Sequence, residues 1–168
     1  LKSDNQAFNV RFDVNHSMFN GLLKANINMI NTSQDYTTTG DGYSFNGLAY
    51  RQALIRNPTS PIKDSAGNWV EQTGIFEYEN PLSRIYESDG KNTNQSTRVA
   101  GSLTLTPFSG LVISALGART KSNGARGYSE TKKHISTIRD SRNGYASRGF
   151  SEGLQNLLEI TATYSKII

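Results

Sequence analysis

In Phe8-Asn9-Val10-Arg11-Phe12-Asp13-Val14, every second residue is apolar and every intervening one is polar or charged. Successive side chains of a β-strand point to opposite faces, so a period of two marks a strand with one apolar and one polar face. The cadence returns three times. Leu23, Ala25, Ile27 and Met29 interleave with Lys24, Asn26 and Asn28. Val99, Gly101, Leu103 and Leu105 alternate with Ala100, Ser102, Thr104 and Thr106. Leu158, Ile160, Ala162 and Tyr164 alternate with Glu159, Thr161, Thr163 and Ser165. A fifth run, Leu111 to Ala118, is apolar and small on both faces, and its facing stays open. The expected strands lie near 7–14, 22–34, 97–106, 110–120 and 153–166, and the fold class is all-β and antiparallel. Each is close to the roughly 9–11 residues that a tilted membrane-spanning strand needs. A soluble sandwich with its polar face in water shows the same alternation, so alternation alone leaves both architectures open.

Composition narrows the field. Only 35% of the 168 residues are hydrophobic, which is thin for an ordinary core. The 10% aromatic content argues against disorder and for narrow apolar stripes. There is no Cys, which excludes a disulfide framework and Cys-ligated metal sites. No apolar run approaches the roughly 20 residues of a membrane-spanning helix, so any crossing is by strands. The net charge of +4 does not by itself imply nucleic acid. The chain opens Leu1-Lys2-Ser3-Asp4 and is expected to be a mature or internal piece of a longer protein.

The connections carry more than the strands do. Segment one reaches segment two through the short polar stretch Asn15 to Gly21, and Pro107-Phe108-Ser109-Gly110 is a tight turn. Between and after them lie long connections, 37–96 and 121–149. Short, long, short, long is the rhythm of an up-and-down barrel with short turns on one side and long outer loops on the other. Compact soluble domains rarely keep such loops. The first long loop has structure of its own. It holds a short helix over Ala49 to Ile55, a Pro-restricted stretch from Asn57, a turn at Asp64 to Gly67, and Asn80-Pro81-Leu82 before Asp89-Gly90.

Asn57-Pro58-Thr59-Ser60-Pro61-Ile62, followed by Asp64 and Gly67, resembles a loop of SusC/RagA-like, TonB-dependent outer-membrane transporters. Three further segments are similar to the stretches that come after that loop in the family. They are Asn80-Pro81-Leu82, Arg98 leading into Leu103-Thr104-Leu105-Thr106-Pro107, and the closing Leu157-Leu158-Glu159-Ile160-Thr161-Ala162-Thr163-Tyr164-Ser165-Lys166. The two opening strands, Phe8 to Asn28, fit the same barrel. The order and spacing of these motifs cover nearly the whole chain.

The resemblance implies an antiparallel transmembrane β-barrel segment, about five strands of a large barrel, with two long extracellular loops. It implies active import of oligosaccharides or peptides across the outer membrane of a Gram-negative, Bacteroidetes-like bacterium. The partners implied are a SusD-like surface lipoprotein acting as a lid, TonB through a plug region, the rest of the barrel and outer-membrane lipid. No plug or TonB-contact segment is found in these residues. About five strands against the 22 of large plugged barrels cannot transport anything alone. A soluble or surface-attached glycan-binding β-sandwich is the alternative, and a passive porin a third.

No enzyme and no cofactor are expected. His16 and His134 lie far apart and lack the spacing of metal ligands, and read as a turn and a loop residue. Glu71, Glu77 and Glu79 read as solvated loop charge rather than paired catalytic carboxylates. No G-x-S-x-G turn or phosphate-binding G-x-x-x-x-G-K-[ST] loop occurs. Asp41-Gly42, Asp64 to Gly67 and Asp89-Gly90 read as turns rather than calcium loops.

Two groups remain as candidate contact sites. Trp69, Phe76, Tyr78 and Tyr86 are aromatic loop residues suited to stacking on a sugar or packing against a peptide. Arg119, Lys121, Arg126, Lys132, Lys133, Arg139, Arg142 and Arg148 make a basic stretch, with Lys132, Lys133 and Arg139 the candidates for a partner or lipid-phosphate contact. Only Tyr128 and Tyr145 offer base stacking in that stretch, so nucleic acid is not an expected partner. On the strands, Phe8, Phe12 and Tyr164 are expected on a lipid face, and Arg11, Asp13, Lys24 and Glu159 on a lumen face.

Overall fold

The alternating segments pair with their neighbours in chain order. The computed structural model describes residue 2 and residues 4–39, 49–71 and 79–166. Strands β1 (Asn5–Met18), β2 (Leu23–Thr38), β3 (Ser88–Phe108), β4 (Leu111–Glu130) and β5 (Tyr145–Tyr164) form one open antiparallel sheet in the order β1-β2-β3-β4-β5. Three short helices lie in the connections: α1 (Ala49–Ile55) and α2 (Pro81–Tyr86) between β2 and β3, and α3 (Ile135–Arg139) between β4 and β5. The expected helix at Ala49 to Ile55 is present. No described helix is long and apolar enough to cross a membrane.

The strands are longer than alternation indicates, and the two long loops correspondingly shorter than 37–96 and 121–149. β3 begins at Ser88, β4 continues to Glu130 and β5 begins at Tyr145. Segments such as Ser88 to Gln95 and Lys121 to Glu130 are polar or small on both faces, so side-chain period vanishes while backbone pairing continues. Asp89-Gly90 is therefore strand and not a turn. Its glycine is there for space: a Cβ on Gly90 would stand 2.5 Å from the Thr38 carbonyl oxygen. The β1–β2 turn does match its composition. Phe19, Asn20 and Gly21 all take positive φ (55°, 55° and 89°), closed by Gly21 N–H donating to Met18 O at 3.2 Å.

The chain divides into two compact units. One comprises Ala7–Gln34, Asn94–Gly124 and Ser151–Ile168, and is strands and tight turns. Asp13 marks its polar face. The carboxylate accepts from Asn28 (2.8 Å), Asn26 (2.9 Å), Arg11 (3.1 Å) and Asn15 (3.1 Å), and Asn26 also donates to Asn15 at 2.8 Å. The Thr104 and Ser114 hydroxyls lie 3.5 Å apart, which puts Leu103 and Ile113 on the opposite face and resolves the facing left open for β4. That other face is apolar and uncovered. Phe8, Phe12, Ile27, Leu103, Leu158 and Ile160 are each more than half exposed, and Ala100 is the one buried hydrophobic residue described in the unit.

The other unit comprises Leu1–Gln6, Asp35–Thr93 and Ala125–Phe150. Its interior is polar. Gln52, Ser83, His134 and Thr137 are fully buried and Glu79, Asn80 and Arg84 nearly so, whereas the buried hydrophobics described are Tyr128 and Ile135. Buried polar groups are tolerated chiefly when hydrogen-bonded, and here each of these residues makes at least one polar contact. Asn80 caps α2 by accepting from Leu82 N–H at 3.1 Å, with Pro81 at the first helical position, where its missing N–H costs nothing.

Candidate functional site

The connection between β2 and β3 is held by side chains that grip backbone. Arg56 donates to Pro61 O (3.0 Å) and Val70 O (2.9 Å), and Asn80 Nδ2 donates to Ile62 O (2.8 Å). These bonds hold the Asn57-to-Ile62 stretch and the small hairpin after it. Lys63 pairs with Trp69 across that hairpin, and Asp64 Oδ1 accepts from Ala66 N–H (2.9 Å) and Asn68 N–H (2.8 Å). The Asn68 and Ala66 hydrogen bonds hold the Asp64 carboxyl below its usual value despite some desolvation.

The hairpin presents Trp69. Its indole N–H donates to Glu87 Oε1 at 2.8 Å, and its ring stacks near-parallel to Tyr86 at 6.0 Å between centroids and 15°. Lys63 Nζ sits 4.4 Å from the Trp69 ring centroid, a cation–π contact. Lys2 reaches the same place, donating to Tyr86 O at 3.0 Å. Glu87 also accepts from the Thr131 hydroxyl. Burial pushes the Glu87 carboxyl up, but the Thr131 and Trp69 hydrogen bonds and the charges of Lys133 and Lys2 outweigh it and hold it low. Glu87 thus bonds Trp69 of the aromatic group and feels the charge of Lys133 of the basic one. Tyr86 is 60% exposed and offers a ring to solvent. Phe76 and Tyr78 lie outside the described residues, as do Glu77 and Asp41-Gly42.

Of the expected solvated acids, Glu71 and Glu79 are not solvated charge. Glu79 is buried, pairs with Arg84 and lies 3.7 Å from Arg139. Glu71 is half-buried and accepts from Asn80 N–H and the Ser83 hydroxyl; burial, more than any other influence, raises its carboxyl above the usual value. Both carboxylates fasten α2. Such acids are indistinguishable from surface ones in the sequence, because their burial depends on how the loop folds back on itself and, for Glu79, on Arg139 far along the chain.

Nor is the basic stretch one loop. Arg119, Lys121 and Arg126 are on β4 and Arg148 on β5, while Lys132 and Lys133 are exposed in the turn before α3. Arg139 ends α3 and faces Glu79 and Asp140, so its charge is largely answered within the fold. Arg126 and Arg148 do come together, lining with Lys91 and Asp89 a groove of ≈ 590 Å³.

Sequence reading missed a cluster around α3. His134 is no exposed loop residue but the N-cap of α3, its Nδ1 accepting from Ser136 N–H at 3.2 Å. The Ser136 hydroxyl lies 2.8 Å from the same nitrogen and also contacts Glu130, whose Oε2 is 3.4 Å from His134 Nδ1. A Ser–His–acid relay needs nucleophile and acid on different ring nitrogens. Here both meet Nδ1, and Nε2 is buried without a hydrogen-bond partner. The arrangement caps and anchors a helix and has no relay geometry. Burial, foremost, holds the His134 pKa below its usual value. Among the described residues no group of three or more His, Asp or Glu is placed to hold a metal ion. No protein-family model matches the chain, and no curated protein matches it.

Proposed function

We propose that the chain is wall and outer loops of a transmembrane β-barrel in the outer membrane of a Gram-negative bacterium, within a TonB-dependent importer of the SusC/RagA type. The observation that carries the membrane assignment is the pairing of an uncovered apolar face with a cross-linked polar one on a chain-order meander. Phe8, Ile27, Leu158 and their neighbours stand exposed, while Asp13, Asn26 and Asn28 on the other face satisfy one another. Each such apolar side chain gains roughly 1.5–3 kcal/mol on leaving water, and lipid supplies that environment while a polar lumen suits the other face. Strand length favours the same reading. Strands of 14 to 21 residues exceed the roughly 9–11 that cross a bilayer and far exceed the usual 5–6 of globular sheets. Chain-order pairing also differs from the Greek-key connections of sandwiches.

The import function rests on the order and spacing of Asn57-to-Gly67, Asn80-Pro81-Leu82 and Leu157-to-Lys166. In this reading an oligosaccharide or peptide is captured between the outer loops and a SusD-like lipoprotein lid, and TonB drives its release through a plug. Tyr86 and Trp69, with Phe76 and Tyr78, supply stacking surface, and Lys132 and Lys133 contact the partner or lipid phosphate. No catalytic step is assigned to the chain. The test is capture of the native protein from detergent-solubilised outer membranes, with mass spectrometry of everything retained. Recovery with further barrel, a plug and a surface lipoprotein supports the importer. Recovery without detergent, absent from the membrane fraction, overturns it in favour of a glycan-binding sandwich.

A further inference from the structure

We infer that the apolar face of the sheet carries a binding site for a lipid phosphate headgroup, built by Arg119 and Lys121 of β4 against Thr97 and Val99 of β3. Arg119 and Lys121 are two residues apart on one strand and so share a face. They line a groove of ≈ 350 Å³ with Gln95, Thr97, Val99 and Asn123. Val99 is 45% exposed and Leu103, on the same face of β3, 51% exposed. The groove therefore lies where this face changes from apolar to polar. Two cations at the head of an apolar stripe complement an amphipathic anion, with charge at one end and hydrocarbon at the other.

The polar groups of the groove suit phosphate oxygens. Asn31 Nδ2 donates to the Thr97 hydroxyl oxygen at 2.7 Å, which leaves the Thr97 O–H free to donate elsewhere. Arg119 has no acidic partner among the described residues, and its planar fork matches two phosphate oxygens. Among the described residues the acidic partner of Lys121 is Glu152 at 3.9 Å, with both side chains well exposed, a pair too loose and screened to hold it. Acyl chains would follow Val99 and Leu103. The sugar-facing and partner-facing loops have no part in this site.

The inference rests on the membrane reading, and its test separates the two. The native protein is purified in detergent, delipidated, and reconstituted in phosphatidylcholine nanodiscs with and without a phosphate-monoester lipid, phosphatidic acid. Bound lipid is counted by native mass spectrometry for the wild type, Arg119→Gln/Lys121→Gln and the control Lys63→Gln. The wild type and control should retain phosphatidic acid over phosphatidylcholine, and the double variant should lose that preference by roughly 30-fold, from two basic contacts to an anionic headgroup. Equal retention by wild type and double variant overturns the site and leaves the membrane reading intact. Competition by inorganic phosphate as strong as by phosphatidic acid overturns the lipid in favour of a small anion. Failure of every form to enter nanodiscs overturns both.

Discussion

The indole N–H of Trp69 donates to Glu87 Oε1 at 2.8 Å across 18 positions of sequence. That bond ties the base of the loop hairpin, where Trp69 pairs with Lys63, to the C-cap of α2, and Thr131 ties the same carboxylate to the start of the α3 connection. Removing the donor with Trp69→Phe keeps an aromatic ring and loses the bond. A partly exposed hydrogen bond of this kind contributes about 1 kcal/mol. Hydrogen exchange over residues 62–70 should therefore quicken by about fivefold. Unchanged exchange would mean that stacking on Tyr86 alone fixes the hairpin. Trp69→Ala, which removes the ring, is expected to reduce substrate capture as well, and full capture by that variant would remove Trp69 from the binding surface.

The two faces of β5 offer a direct test of what surrounds the sheet. Ile160 is 69% exposed on the apolar face, and Thr161 points the other way. In a bilayer, Ile160→Arg should cost about 2–4 kcal/mol and impair outer-membrane assembly, while Thr161→Arg should be far milder. Urea unfolding in lipid vesicles and yield in the membrane fraction read both. Equal tolerance on the two faces would contradict the membrane assignment.

At Gly90, β3 leaves no room for a side chain against Thr38 of β2. Because an added Cβ would meet the Thr38 carbonyl oxygen and hydroxyl at 2.5 Å, one backbone must move in Gly90→Ala. Overpacking of this kind typically costs about 1–3 kcal/mol, so the variant should unfold at clearly lower denaturant. Gly149→Ala, with nothing within 4 Å of its Cβ, is the contrasting control. Equal stability of the two variants would show that the strands relax freely at Gly90.

Acidification should loosen the α3 connection. His134 titrates near 6.5 when unfolded, and burial lowers it in the fold against the opposing pull of Glu130. Between those values the unfolded chain binds a proton that the folded one does not. The contribution of neutral His134 is thus complete above pH 6.5 and is lost as pH falls through the folded value. A proton NMR titration of the His134 ring reads the midpoint directly. A midpoint at or above 6.5 would rule out burial as the dominant influence.

Strand existence and the short turns were legible because each depends on neighbours in sequence: a period of two, a Pro-Phe-Ser-Gly turn, and a short β1–β2 connection expected over Asn15 to Gly21, of which Asn15 to Met18 prove to be strand. The helix at Ala49 to Ile55 was legible for the same reason. Helix α2 was not expected from the sequence, although its Asn80-Pro81 start carries a cap signal, an Asn before a Pro at the first helical position. Strand ends were not legible, since Ser88 to Gln95 and Lys121 to Glu130 keep backbone pairing after their side-chain alternation has faded.

The sequence by itself determined an all-β chain whose strands have one apolar face, because alternation is a local property that the backbone converts directly into sidedness. Tertiary structure alone decided which charges are buried. Glu79, Glu71 and His134 carry no local mark that separates them from solvated loop residues, yet each is wholly or partly withdrawn from water, Glu79 against Arg84 and Arg139 and Glu71 against Ser83. It also separated Arg119 and Lys121 from the loop cations and set them beside Val99. The reason is physical: burial and charge pairing are set by contacts between distant segments, and those contacts exist only once the strands have fixed their register.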